Sequence, residues 1–372
     1  MSSTSASTAR AGAAPRLGTT RLAIVAALLA VYLIWGSTYL AISVALQGFP
    51  PFLLGALRFV LAGALLAAWP LLRGLVPTAR ELGAAAVLGL FLVVGGNGAV
   101  SWACQTIPSG VAALVSSMTP CFIVLLDWSL QRRSRFHPAT VLGLLSGIAA
   151  TVVLAEPFAD TGRYDRLALV VVLFGCFSWA VGSVFARRMP PPRSVRLGTG
   201  LQMVFGGLCL GVLSLLSGEG DRFDPAAVGG STIGALLYLS LFGSVIGYGC
   251  YCWLLRVAPI GLVSTHSYVN PIVAVLLGWA FAGEVVGPRT LVAGALTLVA
   301  VVLISYTSSG RRIPGPGPAA SAFPAEVLAE DPFAESPALA DLLEPGEAGD
   351  AVEPSADALF DSLDGALGTP LR

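Results

Sequence analysis

The chain has 372 residues, of which 55% are hydrophobic and only 11% charged. A soluble domain carries about 25% charged residues, so residues 22–307 lack the polar surface of a large water-soluble body, and the chain reads as a multi-pass protein of a lipid bilayer. The formal net charge is +0, which leaves no basic footprint for a nucleic-acid partner.

Residues 1–21 form a polar cytoplasmic N-terminal segment with Arg10, Arg16 and Arg21. The apolar run that follows is too long for a cleaved leader and continues through "VYLIWGSTYLAI", so it is expected to stay as the first span. At roughly 20 residues per span, ten spans are predicted, at about 22–42, 52–72, 82–102, 109–129, 139–156, 167–186, 197–216, 232–253, 262–282 and 289–307. Pro- and Gly-bearing connections such as "GFPP" and "MPPPR" separate them. With the N-terminal arginines, Arg73, Arg80, Arg132, Arg133, Arg135, Arg187, Arg188, Arg193, Arg196, Arg289, Arg311 and Arg312 fall on one side, and only Arg163, Arg166, Arg222 and Arg256 on the other. The positive-inside bias therefore puts both termini in the cytoplasm. Every basic residue is Arg, as in GC-rich bacterial proteins, and the expected location is a bacterial cytoplasmic membrane. Residues 308–372 turn acidic and Pro-rich and read as a disordered cytoplasmic tail. The six cysteines, Cys104, Cys121, Cys176, Cys209, Cys250 and Cys252, lie in or beside apolar segments without metal-ligand spacing. They read as small buried hydrophobes, and no metal or other cofactor is expected.

An internal repeat runs through the apolar part. At a shift of 144, Trp35 meets Trp179, Leu57 meets Leu201, Arg58 meets Gln202 and Gly63 meets Gly207. After an insertion near 218–231 the shift becomes 151: Gly96 meets Gly247, Trp102 meets Trp253, Pro108 meets Pro259, Pro120 meets Pro271 and Trp128 meets Trp279. Rare residues seldom align this way by chance. The fold class predicted is all-α integral membrane, ten transmembrane helices built as two five-helix repeats over 22–156 and 167–307. Five spans per copy is an odd number, so the second copy enters the membrane inverted, an arrangement typical of transporters with a midplane site between the halves.

The stretches "YLIWGSTYLAI" at 32–42, "PPFLLGALRFVLAG" at 50–63, "IPSGVAALVSSMTPCFIVLL" at 107–126 and "APIGLVSTHSYVNPIVAVLLGWAFAGE" at 258–284 resemble the EamA family of the drug/metabolite transporter superfamily. The resemblance implies a secondary carrier for a small metabolite, often an exporter of amino acids or related compounds, with a cavity lined mainly by spans 1, 3, 4, 6, 8 and 9. The family's Gly-Glu pair is present after the ninth span as Gly283–Glu284, whereas the equivalent first-half position is Arg133.

Within spans, polar residues are costly and so informative. Pro120 and Pro271 each remove a backbone donor. Ser116 and Thr119, then His266, Tyr268 and Asn270, supply polar groups around them. These two stretches are expected to line the substrate pathway, with Pro kinks satisfied by their own Ser and Thr as the plainer reading. His266 either meets substrate or a proton, or is a neutral interhelical hydrogen-bonder. Asn97 and Tyr248, repeat mates among glycines, and the tryptophans Trp35 and Trp179 join the candidate pathway. Arg58 lies about 10 Å inside the outer end of span 2. Three readings are open for it: a polar anchor between helices, a ligand for a substrate carboxylate, or a side chain snorkelling to the surface. Its neutral mate Gln202 favours a polar anchor in each half. Glu284 is expected to end its helix against nearby basic groups, and Asp127 to pair with Arg132 or Arg133. No GxxxxGK[ST] pattern points to direct ATP use. The function expected is alternating-access export or exchange of a small molecule, with ion or proton coupling and oligomeric state open. The alternative is a non-transporting membrane scaffold or an intramembrane enzyme.

Overall fold

The computed structural model describes residues 17–131, 138–155, 165–189, 192–257, 263 and 265–309. Most of the predicted N-terminal segment, the 132–137 connection with Arg133, and the acidic tail from 310 onward lie outside these residues. The side chains of Asp127, Trp253 and Tyr268 do too.

Among the described residues every regular element is helical, without strands. The helices are α1 Leu17–Ala45, α2 Pro51–Leu72, α3 Ala79–Leu88, α4 Ala99–Ala103, α5 Ser109–Ser116, α6 Thr119–Gln131, α7 Pro138–Ala155, α8 Arg166–Arg188, α9 Val195–Leu216 and the short α10 Glu219–Arg222. They continue with α11 Gly230–Tyr238, α12 Gly247–Val257, α13 His266–Ala282 and α14 Pro288–Ser309. Two π-helical segments, Gly89–Gly98 and Leu239–Ile246, join α3 to α4 and α11 to α12. Six stretches among the described residues are long and apolar enough to cross a membrane: Leu22–Ala45, Pro51–Leu72, Ala79–Ala103, Arg166–Ala186, Val195–Leu216 and Gly230–Tyr251. The apolar helical stretches Ser109–Ile123, which the turn at Ser117–Met118 interrupts, Pro138–Leu154, Val269–Ala282 and Pro288–Leu303 are shorter.

The predicted fourth span is not one helix. Pro120 has no N–H to give the Ser116 carbonyl, and the chain turns at Ser117–Met118 between α5 and α6. The freed carbonyl accepts the Thr119 hydroxyl at 2.7 Å and the Cys176 thiol at 3.6 Å. Its mate Pro271 lies inside the unbroken α13.

Large apolar side chains point outward. Leu57, Leu65, Phe174, Leu208 and Val212 are all exposed, a distribution suited to lipid. Small residues point inward. Along the α2–α9 contact, a Cβ placed on Gly63 would stand 2.6 Å from the Gly200 carbonyl oxygen, and one on Gly207 would stand 3.2 Å from the Ala56 carbonyl oxygen. The two backbones therefore touch with nothing between them, the close approach that small residues permit in lipid. Gly63 with Gly200 and Gly207 with Ala56 are the same contact under exchange of the repeats, because Ala56 and Gly200 are themselves mates at 144. Other contacts follow the same exchange: α7 packs on α14, α1 on α12 and α13, and α8 on the first π segment and on α6.

Two carboxylates cap helices that are not their own. Glu219, 2% exposed, accepts from the backbone N–H groups of Phe52 at 3.1 Å and Leu53 at 2.9 Å, at the start of α2. Glu284 accepts from Ser109 N at 2.7 Å and Gly110 N at 3.1 Å, at the start of α5. Glu284 thus meets orphan amides and the positive end of a helix, not the basic side chains expected from sequence. Both helices begin beside proline, Pro50–Pro51 and Pro108, so neither offers its own Ser or Asp cap.

Gly63→Val is expected to separate α2 from α9 and cost about 1–3 kcal/mol, seen as a lowered unfolding temperature in detergent. Gly83→Ala, at an exposed position where an added Cβ meets nothing within 4 Å, should leave that temperature unchanged or raise it slightly. Glu219→Ala leaves two partly buried amides unpaired and should cost about 1–3 kcal/mol in the same assay. Glu219→Gln, which keeps an acceptor, should lose less.

Candidate functional site

Polar residues set into apolar helices converge on one cavity of about 240 Å³. Its wall contains Trp35 and Thr38 of α1, Asn97 and Gly96 of the first π segment, and Ser116, Thr119 and Pro120 of the broken α5–α6 pair. Trp179 comes from α8, Gly243 and Ser244 from the second π segment, Tyr248 from α12, and His266, Asn270 and Pro271 from α13. Every sequence-selected pathway residue lines it except Tyr268, whose side chain lies outside the described residues.

The tryptophans are seated by glycines. A Cβ on Gly96 would stand 2.8 Å from Trp179 Cε3, and one on Gly247 would stand 2.6 Å from Trp35 Nε1. Gly96 and Gly247 are repeat mates, as are the two tryptophans, so one packing solution occurs twice. Trp35 Nε1 also donates to the Gly243 carbonyl at 3.1 Å. Its ring meets Tyr251 at 5.1 Å and His266 edge-on at 5.3 Å between centroids. His266 places Nδ1 2.9 Å from the Val263 carbonyl oxygen. It opens α13 rather than sitting well inside a span, which gives it an aromatic wall and a backbone partner. Tyr32 and Thr265 pair through their hydroxyls nearby, tying α1 to the start of α13.

The π segments bring carbonyls into the wall. Asn97 Nδ2 donates to the Leu92 carbonyl at 3.0 Å, and Ser244 Oγ to the Leu239 carbonyl at 3.1 Å, each reaching five residues back. That is the spacing of the π ladder itself, a form that recurs at functional positions. Sequence reasoning drew spans 3 and 8 as plain α-helices. The signal available was "GGNG" with a polar residue inside, but no propensity scale distinguishes a π turn from an α turn.

The polar anchors differ from expectation in place. Arg58, 6% exposed, and Gln202, 7% exposed, are buried and line the cavity, as do Phe59 and Met203 beside them. Burial removes the snorkelling reading of Arg58. α2 and α9 therefore contribute to a wall that the family resemblance assigned mainly to other spans. Arg58 Nε donates to Ser244 Oγ at 3.0 Å, and its guanidinium carbon stands 4.6 Å from the Phe59 ring centre. The described lining contains no Asp or Glu, nor do the described residues group His, Cys, Asp and Glu into a metal site.

Many lining residues fall in repeat-mate pairs, among them Trp35/Trp179, Arg58/Gln202, Leu92/Gly243, Asn97/Tyr248, Thr119/Asn270 and Pro120/Pro271. The model of the EamA-like transporter family likewise matches the chain twice, over residues 21–155 and 166–306. The chain is 35% identical over 286 residues to the "uncharacterized inner membrane transporter YedA" of Escherichia coli K12, covering 76% of this chain and 91% of that one. It is 30% identical over 300 residues to a "probable terminal-alkyne amino-acid exporter" of Streptantibioticus cattleyicolor, covering 77% and 94%. A "probable amino-acid metabolite efflux pump" of E. coli K12 is 27% identical over 248 residues, covering 63% and 81%. A crystal structure superposes with a TM-score of 0.52 at 27% identity, over 78% of this chain and 98% of the other. With both halves matched and relatives named as transporters rather than enzymes, the chain is a membrane transporter of the EamA family.

Proposed function

We propose that the chain is a secondary carrier that moves a small metabolite by alternating access, exporting or exchanging an amino acid or a related compound. In this reading the apolar helices form ten spans as two inverted five-helix repeats, over 22–156 and 167–307, with both termini on the cytoplasmic face. The observation that carries it is the cavity wall built from repeat mates. Halves that are equivalent but oppositely inserted can exchange roles as outer and inner gate around a fixed central site. Reciprocal contacts such as Gly96 with Trp179 and Gly247 with Trp35 support two such equivalent halves. A scaffold would gain nothing from a polar cavity at its centre, where each unsatisfied group is costly. The names of the relatives favour amino-acid-like cargo.

The pathway assignments follow from the same geometry. Trp35, Trp179 and Tyr248 offer apolar faces to the solute, while Asn97, Ser116, Thr119, His266 and Asn270 offer polar groups beside Pro120 and Pro271. The full-length chain reconstituted in liposomes preloaded with an unlabelled amino acid should show counterflow of the labelled form above protein-free vesicles. Asn270→Ala should reduce the rate by about tenfold without lowering thermal stability to the same degree. Absence of movement for every amino acid and related compound tried, under any gradient, would contradict the carrier reading.

A further inference from the structure

Arg58 raises a question that the anchor reading leaves unanswered. A guanidinium has five N–H donors and no acceptor, and in a membrane-embedded site it needs partners or water. Ser244 Oγ accepts from Nε, and the Phe59 ring lies beside the guanidinium carbon. No ion pair to Arg58 occurs among the described residues, and the described cavity wall has no carboxylate to neutralise it. A purely structural role does not require the charge, because the repeat mate Gln202 holds the equivalent place with a neutral amide and is equally buried. The site is also shaped around the guanidinium: a Cβ on Gly243 would stand 3.3 Å from Arg58 Nη2. A second polar group on the same wall lacks a partner, since the buried Asn270 Oδ1 accepts no hydrogen bond.

We infer that Arg58 is the carboxylate-binding residue of the cavity, and that the substrates are small organic carboxylates with an apolar or aromatic body. The inference rests on the carrier reading above. A planar guanidinium with its Nε held by Ser244 keeps its Nη donors for a carboxylate, and such charge-assisted bonds are roughly twice as strong as neutral ones. The tryptophans, Tyr248 and Phe59 suit the organic body. Asn270 Oδ1 suits a donor on the solute, such as an ammonium. The carboxylate is the required group in this assignment, and the ammonium adds to it.

The test uses full-length protein in nanodiscs, with intrinsic tryptophan fluorescence as the binding signal, because Trp35 and Trp179 line the cavity. The probes are leucine and phenylalanine, their carboxamides leucinamide and phenylalaninamide, which keep the α-ammonium but replace the carboxylate with a neutral group, and 3-phenylpropanoate, which has a carboxylate and no ammonium. Wild-type protein should bind each acid at least about tenfold more tightly than its amide, and should bind 3-phenylpropanoate measurably. Arg58→Gln should bring the acid-to-amide ratio close to one, and Arg58→Lys, which keeps charge without the fork, should fall between. Amides that bind wild type as tightly as the acids would overturn the assignment, whether or not Arg58→Gln folds. So would an Arg58→Gln protein that keeps the tenfold preference, or acids that give no saturable signal. Counterflow of the same probes separates the two levels. Movement of amides and acids at equal rates leaves a carrier without this role for Arg58, whereas acids that bind but never move leave the site and remove the carrier.

Discussion

The structure depends on the backbone contact between α2 and α9. In lipid, helices gain nothing from hiding apolar surface, so association rests on close packing and on interhelical hydrogen bonds. Gly63, Gly200 and Gly207, with Ala56, remove the side chains that would hold these two helices apart. The first π segment joins the same seam, since a Cβ on Gly89 would stand 2.6 Å from the Gln202 carbonyl oxygen. Arg58 and Gln202 each lie five residues before a seam glycine. Fixing the seam therefore fixes the buried cation and its neutral mate on the cavity wall.

The remaining wall follows from how membrane helices must satisfy their backbones. Irregular backbone is tolerated in a bilayer only where protein or a water-filled cavity covers it. Here the irregular parts face inward: the Ser117–Met118 turn, whose orphaned carbonyl takes Thr119 and Cys176, and the π segments, whose carbonyls take Asn97, Ser244 and Trp35. The same features that make these helices costly as simple spans make them useful as a binding surface. At the helix ends, Glu219 and Glu284 perform the corresponding service by closing the amides that Pro-led helices leave open.

Much of this was legible from residues alone, and the reasons differ by feature. The apolar helices were visible because apolar runs of about 20 residues have few other uses. The repeat was visible because tryptophan, glycine and proline are retained where geometry requires them: the Gly96–Trp179 and Gly247–Trp35 contacts explain why those four residues align. The cavity-lining residues were readable because polar atoms in apolar helices need a reason. The π turns were not readable, since they change the hydrogen-bond ladder without changing hydrophobic pattern. The partner of Glu284 was missed because the N-terminus of α5, about 175 residues earlier in the chain, carries no charge to suggest a pairing. The cavity position of Arg58 was not legible, because the resemblance assigns the lining mainly to other spans and the small-residue seam that turns α2 inward forms only in three dimensions.

The proposed carrier requires two halves inserted in opposite senses. Arg73 and Ser217 are exposed repeat mates at the ends of α2 and α9, and their accessibility measures this directly. In a cysteine-free form of the protein, Arg73→Cys and Ser217→Cys are labelled in turn with a membrane-impermeant maleimide. Ser217→Cys should react in intact cells, and Arg73→Cys only after the membrane is opened. Reaction of both from the same side would contradict the inverted arrangement, and with it the exchange of gates around a shared cavity.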